Sequence, residues 1–179
     1  MYYFSKFIFM VNEYLEIYTD GSDIKGTGKI GYGAYIKYND REYKMSGVSD
    51  QEDFKKFYKT SDNVSNPTME LVALLKVLME FRNTNLNIEV FADYVGVQKW
   101  ISGEWKAKKV YIIDITRRVR NLIDKINSNG GSVKLTWVKG HSGNVGNNEA
   151  DILAKDREVY NEIPLLISEI KNNPKISYF

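Results

Sequence analysis

Alternating and helical spacings of apolar residues divide this 179-residue chain into predicted strands and helices. Strands are predicted where apolar, β-branched or aromatic residues alternate with polar ones, in the stretches that begin at Tyr14, Tyr32, Glu42, Asn87 and Val133. Helices are predicted where apolar residues recur every three or four positions, in the stretch after Asn66 and over Tyr94 to Ile101, Val110 to Asn127 and Asn147 to Tyr160.

The first predicted strand runs from Tyr14 to Asp20, because Gly21 and Ser22 then introduce turn chemistry. A loop is expected from Asp23 to Gly31. Asp20 is therefore predicted to be a carboxylate at the carboxyl end of a strand. Open α/β sheets place ligand-contacting groups at such strand ends.

The clearest predicted helix opens at Asn66, which can cap it, with Pro67 at the first helical position. Its apolar face is broad and comprises Leu71, Val72, Leu74, Leu75, Leu78 and Met79. Such breadth indicates a helix that is buried against a sheet. Glu70 is predicted to lie in its first turn, as a charge at the edge of this apolar run.

The order of the elements predicts the topology. Helical crossovers imply that the strands from Tyr14, Asn87 and Val133 are parallel. The strands Tyr32 to Lys37 and Glu42 to Ser46 are joined by a short polar turn and should be antiparallel. The predicted fold is α/β, a mixed five-stranded sheet with three antiparallel strands, two further parallel strands and helices on both faces.

Three segments lie outside this pattern. Residues 47–64 are polar, lack a clear period and are expected to form a surface excursion. Residues 1–13 are interpreted as an N-terminal extension, residues 14–160 as one domain, and residues 161–179 as a C-terminal extension of unknown role. This last segment mixes apolar residues with prolines. The pattern is compatible with two alternatives, an additional packed helix or a mobile end.

Composition restricts the chemistry. The net charge of +2 is only mildly basic, so an argument for nucleic-acid binding must rest on local clusters. The absence of cysteine excludes disulfides, thiolate zinc sites and cysteine nucleophiles, and a single histidine excludes a histidine-rich zinc site. No run approaches the roughly 18 apolar residues that span a bilayer. We therefore expect a soluble, cytoplasmic protein, monomeric and without membrane contact.

Four acids occupy special positions. Asp20 and Asp93 end predicted strands, Glu70 begins the buried helix, and Asp151 comes early in the closing helix. Converging carboxylates repel one another unless cations neutralise them, and ligands that are all oxygen suit Mg²⁺ or Mn²⁺ better than zinc. Such a cluster can hold two ions about 3.5–4 Å apart, the arrangement used for in-line displacement at phosphate.

Each of these acids lies in a longer sequence motif, and the four motifs follow one another in order along the chain. They are Tyr18-Thr19-Asp20-Gly21-Ser22 with the following Gly31-Tyr32-Gly33-Ala34, Asn66-Pro67-Thr68-Met69-Glu70-Leu71, Val90-Phe91-Ala92-Asp93, and Trp137-Val138-Lys139-Gly140-His141-Ser142-Gly143 with Gly146-Asn147-Asn148-Glu149-Ala150-Asp151. In this order and spacing they resemble the type 1 ribonuclease H family, and the resemblance covers about residues 14 to 158.

The resemblance implies the ribonuclease H-like fold and an endoribonuclease that hydrolyses the RNA strand of RNA–DNA hybrids. The products would carry 3′-hydroxyl and 5′-phosphate ends, and the partner would be the hybrid itself. Asp20, Glu70, Asp93 and Asp151 would hold two Mg²⁺ ions, for which Mn²⁺ can substitute. His141, on the glycine-rich loop, would assist proton transfer or product release.

The resemblance also implies substrate contacts. Asn66 matches a residue that reads the minor groove of the hybrid, and Asn147 would orient His141 or the substrate. The family's basic protrusion is shortened here to a segment in which one tryptophan is followed by three lysines. The complete set of predicted substrate-binding residues is Gly21, Ser22, Asn66, Asn147, Trp105, Lys106, Lys108 and Lys109.

Two residues depart from the family pattern inside its motifs. Pro67 stands where a second asparagine is common, so one minor-groove contact should be missing. Tyr94 replaces the usual serine after the third acid, which predicts altered stacking or packing nearby.

Two other functions stay open at this point. One is a non-catalytic module that binds RNA–DNA hybrids, which the intact set of four acids argues against. The other is a nuclease of the same fold that acts on DNA, which the loop around His141 argues against.

Overall fold

The structure is a computed structural model that describes residues 14–140 and 142–172. Its strands are β1 (Tyr14–Ile24), β2 (Lys29–Tyr38), β3 (Arg41–Asp50), β4 (Asn87–Ala92) and β5 (Ser132–Trp137). Its helices are α1 (Gln51–Tyr58), α2 (Asn66–Phe81), α3 (Val95–Ser102), α4 (Val110–Ser128), α5 (Val145–Lys155) and α6 (Ile163–Asn172).

The five strands form one mixed sheet in the order β3-β2-β1-β4-β5. The first three strands are antiparallel neighbours, whereas β4 lies parallel to β1 and β5 parallel to β4. The predicted α/β fold class and topology are therefore confirmed. The central strand is β1, because it alone has an antiparallel neighbour on one side and a parallel neighbour on the other.

Helices cover both faces of the sheet, and glycines in β1 and β2 let them approach closely. A Cβ atom on Gly21 would lie 2.0 Å from the carbonyl carbon of Met69 in α2. On the opposite face, a Cβ atom on Gly33 would lie 2.5 Å from the carbonyl oxygen of Ala150 in α5. Helix α2 is the most deeply buried, and its inner face, which faces α4 and the sheet, includes the fully buried Leu71, Leu74, Leu78 and Phe81.

The first strand is longer than predicted. It does not end at Asp20, because its antiparallel pairing with β2 continues to the pair of Ile24 with Lys29. The predicted loop from Asp23 to Gly31 is consequently reduced to a tight turn over residues 25–28. Gly26 and Gly28 make that turn possible, because both have a positive φ that other residues rarely adopt.

The segment predicted as a surface excursion contains a helix, α1. None of its eight residues is buried, so the chain has no strong apolar period there. Its acids lie in the first turn and its lysines in the last turn, where they interact favourably with the helix dipole. Phe54 and Tyr58 nevertheless pack against the edge of the core.

Other helix ends also differ from the prediction, among them the end of α5, which lies at Lys155 and not near Tyr160 because Asp156 is already extended. The N-cap of α2 is Ser65 and Asn66 is already helical, so Glu70 lies in the second turn of the helix and not the first. Helix α5 begins at Val145, where the side chain of Asn144 caps it by accepting a hydrogen bond from the backbone N–H of Asn147 at 3.0 Å.

The C-terminal extension is part of the core as far as residue 172. Residues 160–162 follow the edge of β3, where the N–H of Ser46 donates to the carbonyl of Tyr160 at 2.9 Å. Ile163, Leu166 and Ile170 of α6 are each at most 1% exposed and belong to the main hydrophobic cluster. In the described part of the chain, no helix combines the length and apolar character needed to cross a membrane.

Candidate active site

Three of the predicted acids meet where the parallel pairing of β1 and β4 stops. The last parallel pair is Tyr18 with Phe91, and Asp20 and Asp93 each follow it by two residues. Glu70 reaches the same point from α2, which packs directly on Gly21. Carboxylate oxygens of Asp20, Glu70 and Asp93 lie within 4.8 Å of one another.

Burial and repulsion from neighbouring acids make Asp20 and Glu70 hard to ionise. Asp20 is 7% and Glu70 is 5% exposed. Desolvation, a hydrogen bond with Asp151 and repulsion from Asp93 raise the pKa of Asp20 to about 8. Desolvation and repulsion from Asp20 and Asp93 raise the pKa of Glu70 to about 9, although the N–H of Tyr94 opposes this by donating to Glu70 Oε2 at 3.2 Å.

The fourth predicted acid, Asp151, lies beside the cluster without belonging to the group of three. It comes from the second turn of α5 and shares a side-chain hydrogen bond with Asp20. It also forms an i,i+4 ion pair with Lys155, in which the nitrogen and oxygen are 2.5 Å apart. The one positive side chain in this ion pair is exposed and pairs with Asp151, not with one of the three converging acids.

The donor set fits a hard divalent cation. All three converging groups offer carboxylate oxygen, the ligand type that Mg²⁺ and Mn²⁺ prefer. Burial and repulsion raise the pKa of both Asp20 and Glu70, so their surroundings stabilise the ionised form of each poorly. A bound cation would supply the missing positive charge.

The end of β5, the loop that follows it and the start of α5 each contact Asp93. The indole N–H of Trp137 donates to the backbone carbonyl of Asp93 at 2.8 Å, and Asn147 Nδ2 donates to Asp93 Oδ2 at 3.2 Å. Gly140 passes so close that a Cβ atom there would lie 2.7 Å from Asp93 Oδ2. The backbone and the carboxylate of Asp93 are therefore both fixed.

Sequence reasoning placed Asn147 at the site but gave Trp137 no role, although Trp137 opens the most specific motif. Trp137 is 48% exposed. Nothing in the sequence around it indicates that its indole N–H bonds to a residue at the end of the neighbouring strand. Asn147 is 3% exposed, and its Oδ1 has no hydrogen-bond partner among the described residues.

His141 lies outside the described residues, so its predicted role stays a prediction. The residues on either side are described. Ser142 Oγ donates to the carbonyl of Lys139 at 2.6 Å, and Asn144 caps α5. These contacts anchor both ends of the loop.

The predicted substrate-binding residues differ in how exposed they are. Asn66 is exposed at the start of α2, and its Oδ1 accepts the backbone N–H of Asp23 at 2.7 Å. Ser22 is only 4% exposed, and Gly21 is covered by α2, so the structure buries both of these predicted contacts. The physical reason is that β1 continues through them as the central strand.

The predicted basic patch, Trp105 to Lys109, lies on the surface before α4. Lys106 and Lys108 are exposed. Lys109 is ion-paired with Asp62 at 3.1 Å, in the loop before α2, and Lys99 lies 5.2 Å from the centre of the Trp105 ring. The patch is thus connected to the helix that carries Glu70.

Tyr94, which departs from the family pattern, packs beside the acids. Its ring lies 5.6 Å from the ring of Trp100. A Cβ atom on Gly96 would lie 2.2 Å from the Tyr94 ring, so only glycine leaves room for this arrangement.

Comparison with known proteins gives a consistent result. The RNase H family model matches residues 12–158. A ribonuclease H of Ruthia magnifica is 37% identical over 150 residues, which cover 77% of this chain and 90% of the relative, and one of Orientia tsutsugamushi is 30% identical over 156 residues, covering 81% and 82%.

Solved structures agree in fold. RNase H1 of Halobacterium salinarum matches with a TM-score of 0.57 at 20% identity, covering 78% of this chain and 93% of that one. LC11-RNase H1, isolated from compost, matches with a TM-score of 0.58 at 17% identity, covering 79% and 92%. With its family match, its relatives and its converging acids, the chain belongs to the ribonuclease H family of nucleases.

Proposed function

We propose that this protein is a metal-dependent endoribonuclease that hydrolyses the RNA strand of RNA–DNA hybrids and leaves 3′-hydroxyl and 5′-phosphate ends. The observation that carries the proposal is the convergence of Asp20, Glu70 and Asp93 within 4.8 Å, in a chain of the ribonuclease H family. A purely structural role does not explain two buried carboxylates, Asp20 and Glu70, whose pKa values are raised by burial and by repulsion from neighbouring acids.

Asp20, Glu70 and Asp93 would hold Mg²⁺, with Asp151 completing the set beside Asp20. When bound in pairs, such ions lower the pKa of water and stabilise charge on the attacking and leaving oxygens at phosphate. The chain's own contribution is to fix the carboxylates. Trp137 and Asn147 hold Asp93, and the N–H of Tyr94 holds Glu70.

The proposed substrate side lies next to these acids. Asn66 presents an exposed amide at the start of the helix that carries Glu70, and amides can contact groups in the wide minor groove of a hybrid. Lys106 and Lys108 would contact phosphates, which position a nucleic acid without reading its sequence.

A substrate panel tests the proposal. A hybrid labelled on either strand is compared with duplex RNA, duplex DNA and single-stranded RNA, each with Mg²⁺, and the ends of the products are identified. We expect cutting of the RNA strand of the hybrid alone. Binding of the hybrid without cutting indicates a binding module, and cutting of DNA indicates a different nuclease; either result contradicts the proposal.

Replacing Glu70 with glutamine is expected to stabilise the metal-free protein, because it removes one of three repelling carboxylates. The pKa of Glu70 rises from 4.5 to about 9 on folding, so the free energy of unfolding falls as the pH rises through this range. The gain at pH 8 should be on the order of 1–3 kcal/mol, since each pKa unit corresponds to about 1.4 kcal/mol.

Urea unfolding in EDTA at pH 5 and pH 8 measures this gain, which should be larger at pH 8. Glu80→Gln, on the same helix but outside the cluster, is the matched control and should change little. A variant at Glu70 that is less stable than the wild type at pH 8 would show that the carboxylate stabilises the metal-free fold.

The double substitution Lys106→Ala and Lys108→Ala is expected to weaken hybrid binding and its salt dependence. Each phosphate contact that is lost reduces the slope of log K against log salt by about 1. Fluorescence anisotropy between low and moderate salt measures this. Lys125→Ala, in the last turn of α4 and so at the far end from the patch, is the control. An unchanged slope would remove the patch from the substrate interface.

Replacing His141 with alanine is expected to slow turnover by about 10- to 100-fold, which is at or below the lower end of what a positioned proton-transfer group contributes. The loss is limited because the four acids stay in place. Single-turnover and steady-state rates on the same hybrid separate the chemical step from product release. A wild-type rate in both would remove His141 from the mechanism.

A further inference from the structure

Helix α1 ends on a lysine whose backbone conformation is uncommon. Lys59 is the C-cap residue of α1 and has a left-handed backbone, with φ 49° and ψ 48°. Among the non-glycine residues that the structure describes, only Asn39 shares a positive φ. Asparagine tolerates this conformation, but in a lysine the Cβ atom lies too close to the following carbonyl oxygen, which costs free energy. Glycine, which has no Cβ atom, is the usual residue at such helix ends.

Hydrogen bonds at the end of the helix maintain this conformation. The backbone N–H groups of Lys59 and Thr60 both donate to the carbonyl of Lys55, the second of them at 3.0 Å. The N–H of Asp62 then donates to Thr60 Oγ1 at 3.2 Å. These bonds use only the backbone of Lys59, so they would form equally well with glycine there. The exposed side chain of Lys59 is therefore not needed for this helix end.

Lys59 lines an open, basic hollow on the surface. The hollow has a volume of about 540 Å³ and is lined by Glu52, Lys55, Lys56, Lys59, Thr60 and Ser61. The only acid among these lining residues, Glu52, is paired with Lys55 at 2.9 Å. Lys56 and Lys59 form no ion pair with any other described residue. Two such ammonium groups beside two hydroxyl groups suit a phosphate, which accepts hydrogen bonds from both.

The hollow adjoins the predicted basic patch before α4. Asp62, three residues after Lys59, is ion-paired with Lys109 of the patch at 3.1 Å. Three residues span at most about 11 Å, so the backbone of Lys59 lies within this distance of Asp62. Tyr58, directly before Lys59, donates to Asp114 Oδ2 in α4 at 3.4 Å. The basic surface of the patch therefore continues onto the end of α1.

A different explanation for lysines at this place is the helix dipole, because positive side chains near the carboxyl end of a helix stabilise it. This explanation is sufficient for Lys55 and Lys56, which are helical. It does not explain why residue 59 is lysine and not glycine, because the cost of the left-handed backbone offsets a gain of similar size from the dipole. Uncommon backbone conformations that the surrounding structure maintains are a feature of functional sites.

We propose that Lys59 binds a backbone phosphate of the RNA–DNA hybrid, with Lys56 beside it, and that α1 thereby extends the substrate interface beyond the patch before α4. Residue 59 is then a lysine for its charge, although glycine would make the helix end more stable. This inference rests on the proposed function for its substrate, but its test does not depend on cleavage.

Three variants separate the charge of Lys59 from its backbone conformation. Lys59→Ala removes the charge and keeps the unfavourable conformation, Lys59→Gly removes both, and Lys59→Arg keeps both. Urea unfolding measures the stability of each variant. Fluorescence anisotropy at several salt concentrations, without divalent cations, measures its affinity for a hybrid. Lys125→Ala is the control, because it removes the same charge in the last turn of α4, at the far end from the patch.

We expect Lys59→Gly to unfold at a urea concentration roughly 0.5 M higher than Lys59→Ala. Both variants should bind the hybrid about three- to tenfold more weakly than the wild type at low salt, and their slope of log K against log salt should be smaller by about 1. Lys59→Arg and Lys125→Ala should bind as the wild type does. A merely structural role for Lys59 would not make the more stable variant the weaker binder.

A series of hybrids identifies the phosphate itself. In each hybrid, one phosphate is replaced by an uncharged methylphosphonate. The wild type should lose affinity at one position of the series to which Lys59→Gly is indifferent, because the contact is already absent in that variant.

Three results would overturn the inference. They are a Lys59→Gly variant with the affinity and salt slope of the wild type, a Lys59→Gly variant that is less stable than Lys59→Ala, and a methylphosphonate series in which the wild type and Lys59→Gly respond alike. Failure of the proposed function is seen separately, as the absence of RNA cleavage by the wild type with Mg²⁺.

Discussion

Replacing Asp20 or Asp93 with asparagine is expected to abolish cleavage of RNA–DNA hybrids while hybrid binding survives. Each substitution keeps the shape of the side chain but removes one charge from three carboxylates that lie within 4.8 Å of one another. The cation site is then incomplete, and catalysis should fall by roughly 1,000-fold or more, about 4 kcal/mol of activation free energy. Single-turnover cleavage with saturating Mg²⁺ and anisotropy without it measure the two properties separately.

Asp40→Asn provides the matched control, because it removes a carboxylate from an exposed turn away from the site. Its rate should equal that of the wild type. Full activity of Asp20→Asn or Asp93→Asn contradicts the assignment of the metal ligands. Loss of binding together with activity would instead show that the acids are required for the fold or for the substrate surface.

Replacing Leu166 with alanine is expected to destabilise the protein by about 2–5 kcal/mol, as large-to-small substitutions in a packed core do. Leu166 is fully buried in the main hydrophobic cluster, although α6 follows the segment that the family model matches. A stability of about 5–15 kcal/mol is usual for a domain, so this loss is a large fraction of the total. Urea unfolding measures it.

The neighbouring residue is the control for this prediction. Leu165 is 57% exposed, so Leu165→Ala should change the free energy of unfolding by less than about 0.5 kcal/mol. Equal effects at the two positions would mean that α6 does not pack on β3 as the structure shows. A helix that belongs to the core also explains why Glu169 contacts Arg41 and Tyr43 of β3.

The sequence predicted the elements whose residues are buried in a regular pattern. Helix α2 buries one broad apolar face, and β4 alternates between buried and half-buried residues, so both were found with nearly correct bounds. Helix α1 was not found, because none of its residues is buried and its length is only eight residues. The extension of β1 was missed because Gly21 and Ser22, which usually form turns, are buried in a central strand.

In the candidate site, too, some features follow from the sequence pattern and others do not. Asp20, Glu70 and Asp93 could be predicted to converge, since strand ends and a helix start meet at one edge of the sheet. The hydrogen bonds from Trp137 and Asn147 to Asp93 depend on distances that no sequence spacing specifies. The hydrogen bond from Gln51 Nε2 to Asp23 Oδ1 could not be predicted either, because the two residues are 28 positions apart along the chain.

The most direct test of the central claim is cleavage of one hybrid, labelled on its RNA strand, by the wild-type protein with Mg²⁺ and with EDTA. The proposed function predicts cutting of the RNA strand with Mg²⁺ and none with EDTA, because the converging acids would need a cation to act. An intact RNA strand in the presence of Mg²⁺ or Mn²⁺, with the hybrid bound, would contradict the claim, as would equal cutting in EDTA.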